Sequence, residues 1–361
     1  CRGGGGILTI VTDGAISAET GMYITAVVIV VFTAFAGMMS IVTVDIFNGI
    51  IITLGILFAL PYMIFGNGGV AEVFGNLPDD HLTVLGGHNV LWVLGVAMPT
   101  FLLLLGESGM YQKFFSAKNS RAARQAVIGM VVGVVVLETC LALLAIVGRS
   151  VYPDLLEQTS IVGRAASETI ILFIAKNGLP VVGGAVLLAA AIAIVLSTGN
   201  TFLLVPSTNV SRDIYERFVD PKASESRKLK VQRISIVLFG VIGIMLLTQF
   251  QTVLEMALYA YSLVGASLTP ALLAAFLWRR VTPQGGVACL AGGLGTIIGL
   301  KFLSAWIDFS LTIDGTVFDF ASSDYIVLPG VLVSTALMVI VSLATAPSPE
   351  EKWEPFFRKE E

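Results

Sequence analysis

The chain has 361 residues, of which 56% are hydrophobic and only 13% charged, with a mean hydropathy of +0.89; this is more apolar material than a soluble domain of that length buries, so lipid is its main solvent. A net charge of −4 and a pI near 5.3 leave no basic surface for phosphates and exclude nucleic acid as a partner. The cysteines Cys1, Cys140 and Cys289 lie far apart, and with His81 and His88 they form no zinc-like spacing, so neither disulfide nor metal-cofactor chemistry is expected.

The chain opens with Cys1-Arg2-Gly3-Gly4-Gly5-Gly6, which lacks the apolar run of a signal peptide. A fragment or a processed start is expected, with a lipid-modified Cys1 as the alternative. Residues 1–20 are therefore expected to lie outside the membrane ahead of the first span. A bilayer core about 30 Å thick needs about 20 apolar residues per helix. Nine such runs follow, at 21–37, 40–65, 89–106, 125–148, 179–205, 232–249, 252–279, 284–302 and 325–345. The stretch at 165–177, with Glu168 and Lys176, is too short and too polar to span and reads as an amphipathic external helix. Residues 21–345 make one transmembrane domain in this reading, and 346–361 a tail.

Alternating the spans sorts the loops onto two faces. Sixteen Lys and Arg residues fall on one face and four (Arg149, Arg164, Lys176 and Lys301) on the other, with Arg2 near the start. The richer face is expected to be cytoplasmic, which places the tail inside and makes the first span enter from outside. An outside entry, together with an odd number of spans, implies upstream helices. Trp92, Trp278 and Trp306 fit an interface belt, and the basic stretch from Lys222 to Arg233 an inside anchor.

The run at 179–205 holds a stripe of small residues, Ala189-Ala190-Ala191-Ile192-Ala193, leading to Ser197-Thr198-Gly199-Asn200-Thr201. Small residues let helix backbones approach, and hydroxyls beside glycine can turn oxygens toward a bare cation. The alternative is packing alone, with Ser and Thr bonding back to their own turn. Pro206 and then Asn209-Val210-Ser211-Arg212-Asp213-Ile214-Tyr215 read as a sharp end to this span.

Four segments together resemble the sodium:solute symporter family. They are Leu196-Ser197-Thr198 with Arg212-Asp213-Ile214-Tyr215; Thr43-Val44-Asp45-Ile46-Phe47-Asn48; Gly106-Glu107-Ser108-Gly109-Met110-Tyr111-Gln112-Lys113; and Ser267-Leu268-Thr269-Pro270-Ala271-Leu272-Leu273 with Trp278-Arg279-Arg280. Departures from the family pattern are Val44 between Thr43 and Asp45, Asn48 for Gln, and Lys113 for Arg. The resemblance implies an all-α polytopic bundle with a LeuT-type inverted-repeat core lacking most of its first repeat. It implies sodium-binding oxygens at Ser197, Thr198 and Ile194, a sodium-exit carboxylate at Asp45, and a substrate cavity to which Ser262 contributes. In this family the unwound first core helix completes the sodium site, so the chain as given is not expected to bind sodium well.

Glu138 lies mid-span with no basic residue in its own run, and a carboxylate there costs about 2.5–3.5 kcal/mol on insertion scales. It reads either as a protonated or hydrogen-bonded structural acid or as a contact to substrate or ion in the central cavity. Asp45 has a bland reading too, an interfacial charge, while Glu107 reads as a solvated helix end.

The expected function is sodium-coupled symport of a small organic solute across the plasma membrane by alternating access. Sodium is the coupling ion, no other cofactor is needed, and oligomeric state is not legible. A symporter-like sensor domain of a signalling protein is the alternative. An enzyme is disfavoured, because no Ser/His/Asp set or metal cluster stands at a membrane face. Sugar-transporting relatives carry a Lys near the position of Val134 and this span has none, which leaves an amino acid, a carboxylate or a cationic amine as the solute.

Overall fold

The computed structural model describes residues 1–36, 38–83, 85–156, 166–247, 252–313 and 316–357. Arg164, Arg358 and Lys359, counted above, and the ends of the expected 21–37 and 232–249 runs lie outside the described residues. The helices in chain order are α1 (Arg2–Val11), α2 (Ala18–Phe35), α3 (Met38–Gly66), α4 (Val70–Gly75), α5 (Val90–Gly106), α6 (Ser108–Phe115) and α7 (Ser120–Val151). They continue with α8 (Ile170–Phe173), α9 (Val181–Asn209), α10 (Glu225–Leu247), α11 (Val253–Leu277), α12 (Pro283–Leu303), α13 (Val327–Ala344) and α14 (Glu350–Phe357). Among the described residues, nine helical segments are long and apolar enough to cross a membrane, and they match the nine apolar runs one for one. The protein is a multi-pass membrane protein.

Caps fix several starts. Ser17, Asn89, Asn119 and Thr282 each accept a backbone N–H three residues on, at 3.2, 2.8, 2.8 and 3.1 Å, at the heads of α2, α5, α7 and α12. Pro283 follows Thr282 in the first turn of α12, where the missing N–H costs nothing.

The chain groups into two compact units, Cys1–Asp79 with Tyr111–Val253, and Asp80–Met110 with Leu254–Glu361. In the first, Ile56, Met63, Leu144, Ile174 and Leu187 are core residues drawn from α3, α7, α9 and the segment between α7 and α9. Helix α9 lies close on α3 because the stripe of small residues removes bulk: a Cβ on Gly55 would sit 3.2 Å from Ala190 Cβ; toward the segment that precedes α9, a Cβ on Gly184 would lie only 2.0 Å from the Ala175 carbonyl oxygen. Residues 1–20, read from sequence only as an outside segment, contain the packed helix α1. Its Gly4, Gly5 and Gly6 are buried, and a Cβ on Gly4 would lie 2.3 Å from Thr25 Oγ1 of α2. Lys176 donates to the Ile10 carbonyl at 3.3 Å, at the C-terminal end of α1, and pairs with Asp13.

Two expectations change. Of the 165–177 segment, the described part is helical, as a 3-10 turn at Ala166–Thr169, α8, and a π turn at Ile174–Gly178. Its Leu172, Ile174 and Ala175 are buried in protein instead of lying on lipid, because Gly184 of α9 and Gly148 of α7 leave room against Ala175 and against Ile170 and Ile174. Pro206 does not end its span: α9 runs through it and continues as a π-helix over Val210–Val219. The hydroxyls of Ser207 and Thr208 donate to the carbonyls of Leu203 and Leu204 at 2.7 and 2.8 Å, adding side-chain hydrogen bonds to the turn that holds the proline.

That extension is knitted to α10. Lys228, nearly fully buried, pairs with Glu216 at 2.8 Å and Glu225 at 2.5 Å, and Arg212 bonds Glu225 at 2.9 Å. Ser211 donates to the Lys228 carbonyl at 2.8 Å, and Gln232 to Thr208 Oγ1 at 2.8 Å.

In the second unit, α12 and α13 pack through glycine and serine: a Cβ on Gly285 would lie 1.9 Å from Ser342 Oγ. Thr269 of α11 donates to the Leu102 carbonyl of α5 at 2.7 Å, and Trp92 Nε1 to Asp324 at 2.9 Å. A hairpin of β1 (Ser310–Ile313) and β2 (Thr316–Asp319) joins α12 to α13, with Leu311 opposite Phe318. Next to it, Tyr259 donates to the Ala321 carbonyl at 2.7 Å and accepts from Lys301 at 3.1 Å.

Candidate functional site

The site lies in the first unit, where α9 crosses α3. Beyond the contact of Gly55 with Ala190, the partners change from small apolar residues to oxygens. Ser197 donates its hydroxyl proton to Asp45 Oδ1 at 2.6 Å, and Lys113 of α6 reaches Asp45 Oδ2 at 3.6 Å. Among the described residues each carboxylate oxygen thus has one partner, a hydroxyl on one side and an ammonium on the other. Next to Lys113 on α6, Gln112 donates to Asn209 Oδ1 at 3.4 Å, which holds α6 against the far end of α9.

Ser197 does not bond back to its own turn, unlike Ser207 and Thr208, so packing alone does not account for it. With its proton given to Asp45, its oxygen keeps lone pairs for another ligand. Ile194, Ser197, Thr198 and Thr201 recur at three- and four-residue spacing and share one side of α9. Ile194 is 38% exposed and Thr198 is exposed, so this stripe is not buried by the described residues. On the opposite side, Asn200 is buried against Thr33. The single hydroxyl proton of Thr33 is shared between two acceptors, the Ile29 carbonyl at 2.7 Å and Asn200 Oδ1 at 3.0 Å.

Two hydroxyls and a carboxylate are hard oxygen donors, the kind a hard cation takes, and no thiolate or imidazole stands among them. Among the described residues there is no cluster of three or more His, Cys, Asp and Glu suited to a bound transition metal. Asn48, one helical turn beyond Asp45 on the same side of α3, has its amide nitrogen buried with no hydrogen-bond partner among the described residues.

The two cavity candidates stand in different units. Glu138 of α7 is exposed on a side of the helix that also shows Val131, Val132 and Val135, and it makes no ion pair among the described residues. The structure does not bring it to Ser197 by any contact. Ser262 of α11 is fully buried and its hydroxyl has no partner among the described residues. A helix serine ordinarily bonds back one turn, so this orphan hydroxyl is a candidate for a bound solute. Sequence reasoning singled out Asp45 and Ser197 separately and missed that they touch; it treated Lys113 only as a replacement within a motif. The paired small residues Gly55 and Ala190 were the available signal, since they fix which turns of α3 and α9 face each other.

A hydroxyl on one span thus meets a carboxylate on another within a helical membrane bundle, and the fold is LeuT-like. A solved structure of a Na+-coupled sialic acid symporter in its substrate-bound, outward-open state has the same fold, with a TM-score of 0.69 at 14% identity, over 95% of this chain and 70% of that one. The chain belongs to the sodium:solute symporter family, whose model matches residues 3–293. The osmoregulated proline transporter OpuE of Bacillus subtilis is 24% identical over 91% of this chain and 63% of its own length. The high-affinity proline transporter PutP of the same organism is 26% identical over 91% and 66%. The chain thus spans just under two thirds of the length of these relatives.

Proposed function

We propose that the protein is a sodium-coupled symporter of a small organic solute in the plasma membrane, working by alternating access. The observation that carries this reading is the 2.6 Å bond between Ser197 on α9 and Asp45 on α3, which gathers hard oxygens at a helix crossing inside the membrane-spanning bundle. Ser197, Thr198 and the Ile194 carbonyl are the sodium ligands, and Asp45 is the carboxylate by which the ion leaves toward the Lys- and Arg-rich face. Ser262 and Glu138, which stand in different units, are two separate candidates for contact with the solute. The orphan hydroxyl of Ser262 supports the first, and the lack of any ion pair at Glu138 is compatible with a polar or cationic partner.

Relatives named as proline transporters and a sodium/pantothenate symporter of Escherichia coli, together with a sialic acid symporter as structural neighbour, all handle solutes bearing a carboxylate. We take an amino acid or other small carboxylate as the solute class. One charge crossing about 100 mV supplies about 2.3 kcal/mol against about 1.4 kcal/mol per tenfold accumulation, so the membrane potential alone supports roughly 40-fold per sodium. Uptake of radiolabelled proline, pantothenate and a panel of amino acids into cells expressing the full-length protein tests the reading. Accumulation of at least one solute that disappears when choline replaces sodium is the expected result. Uptake indifferent to sodium across the panel would overturn it.

A further inference from the structure

We propose that Lys113 is a tethered cation that competes with sodium for Asp45, so that its ammonium takes the ion's place as the ion leaves. This rests on the symport reading above.

The geometry is specific to one oxygen. Ser197 occupies Asp45 Oδ1 through a donated proton, and that contact leaves the hydroxyl oxygen able to face an ion at the same time. Lys113 occupies Asp45 Oδ2, at 3.6 Å, and an ammonium there holds the oxygen a metal ion would need. The Asp45 side chain is 20% exposed and that of Lys113 48% exposed. The carboxylate therefore sits in a half-sheltered setting, where leaving it bare is costly, while the lysine stem has room to swing away. Exchange of one monovalent cation for another keeps the charge on Asp45 balanced at each stage.

The consequence is kinetic as well as thermodynamic. A lone carboxylate would hold sodium too long at the exit. With the ammonium waiting one side-chain length away, departure of sodium does not strand a negative charge, and arrival of sodium requires only that the lysine move. Lys113 is thus a positioning residue for ion release and lowers apparent sodium affinity. A merely structural ion pair would steady α6 against α3 and leave sodium affinity alone.

The test uses sodium itself. The full-length protein is purified, and its thermal stabilisation is titrated with sodium chloride at constant ionic strength made up with choline, since an ion that binds only the folded protein raises its melting temperature. In Lys113→Gln the stabilisation midpoint is expected at about fivefold lower sodium, the most that a partly exposed ion pair supplies. Lys113→Arg, which keeps the charge, should stay near the parental midpoint. Lys113→Ala serves in place of the glutamine variant if that is not recovered folded; the half-exposed side chain leaves no core cavity when truncated. A midpoint unchanged or raised in the neutral variants overturns the proposal while the symport reading stands. No sodium response in the parent protein overturns both.

Discussion

Ser197 differs from the other hydroxyls near the end of its helix in what it gives up: its proton goes across to another helix instead of back along its own. Ser197→Ala therefore removes a proposed ion ligand and also frees Asp45 Oδ1, whereas Thr198→Ala removes an exposed oxygen with no hydrogen bond among the described residues. Both variants should raise the sodium concentration for half-maximal uptake. The serine change should do so more, by roughly tenfold, in line with about 1.5 kcal/mol for a hydrogen bond to a charged group. Equal sodium dependence in parent and both variants, with normal folding, would reduce these hydroxyls to packing. For Glu138→Gln the expected outcome is a raised solute half-saturation with membrane insertion unchanged or improved, since shape is kept and a charge is lost from mid-span. Unaltered uptake kinetics would leave Glu138 a structural acid. The residues of the site were legible in the sequence one by one, because hydroxyls beside glycine and acids within apolar runs stand out. Their meeting was not: it depends on the register of α3 on α9, and a single sequence does not print which turn faces which.

At the scale of helices, apolar run length sufficed to find the nine candidate spans among the described residues, because a bilayer sets a minimum length for each of them. It failed where protein replaces lipid as the solvent. The 165–177 segment and α1 both bury apolar or glycine-rich faces in the first unit, and neither has the length that marks a span. Pro206 misled because a proline takes one backbone hydrogen bond from a membrane helix without ending it; the turn around it keeps side-chain bonds from Ser207 and Thr208 to Leu203 and Leu204. The same close packing makes a stability prediction. Gly184→Ala drives a methyl into the Ala175 carbonyl, 2.0 Å away, which is backbone and cannot rotate aside. It should lower the melting temperature of the purified protein, at a cost of about 1–3 kcal/mol. Gly129→Ala on α7, where a Cβ meets nothing within 4 Å, should leave the melting temperature unchanged or slightly raised. A melting temperature raised alike in both variants would show that helix propensity, not packing, sets the effect.

For the molecule as a whole, the asymmetry of sixteen basic residues against four makes sidedness testable without any transport assay. In intact cells, a membrane-impermeant thiol reagent should label Asp79→Cys and spare Ser224→Cys, and the reverse pattern would invert the assigned orientation. The joint between α9 and α10 bears on how such a protein moves. Lys228, held between Glu216 and Glu225, and Ser211, bonded to the Lys228 backbone, fasten the two helices over several turns at one end. A helix clamped in this way behaves as a beam with a built-in end. Tilting α9 at Ser197 then cannot be absorbed locally and has to carry α10 with it, so the pair travels as one stiff arm. A disulfide between Thr208→Cys and Gln232→Cys, whose native side chains already touch at 2.8 Å, should therefore leave uptake intact. Uptake lost on oxidation and restored on reduction would mean that the arm has to bend at this joint.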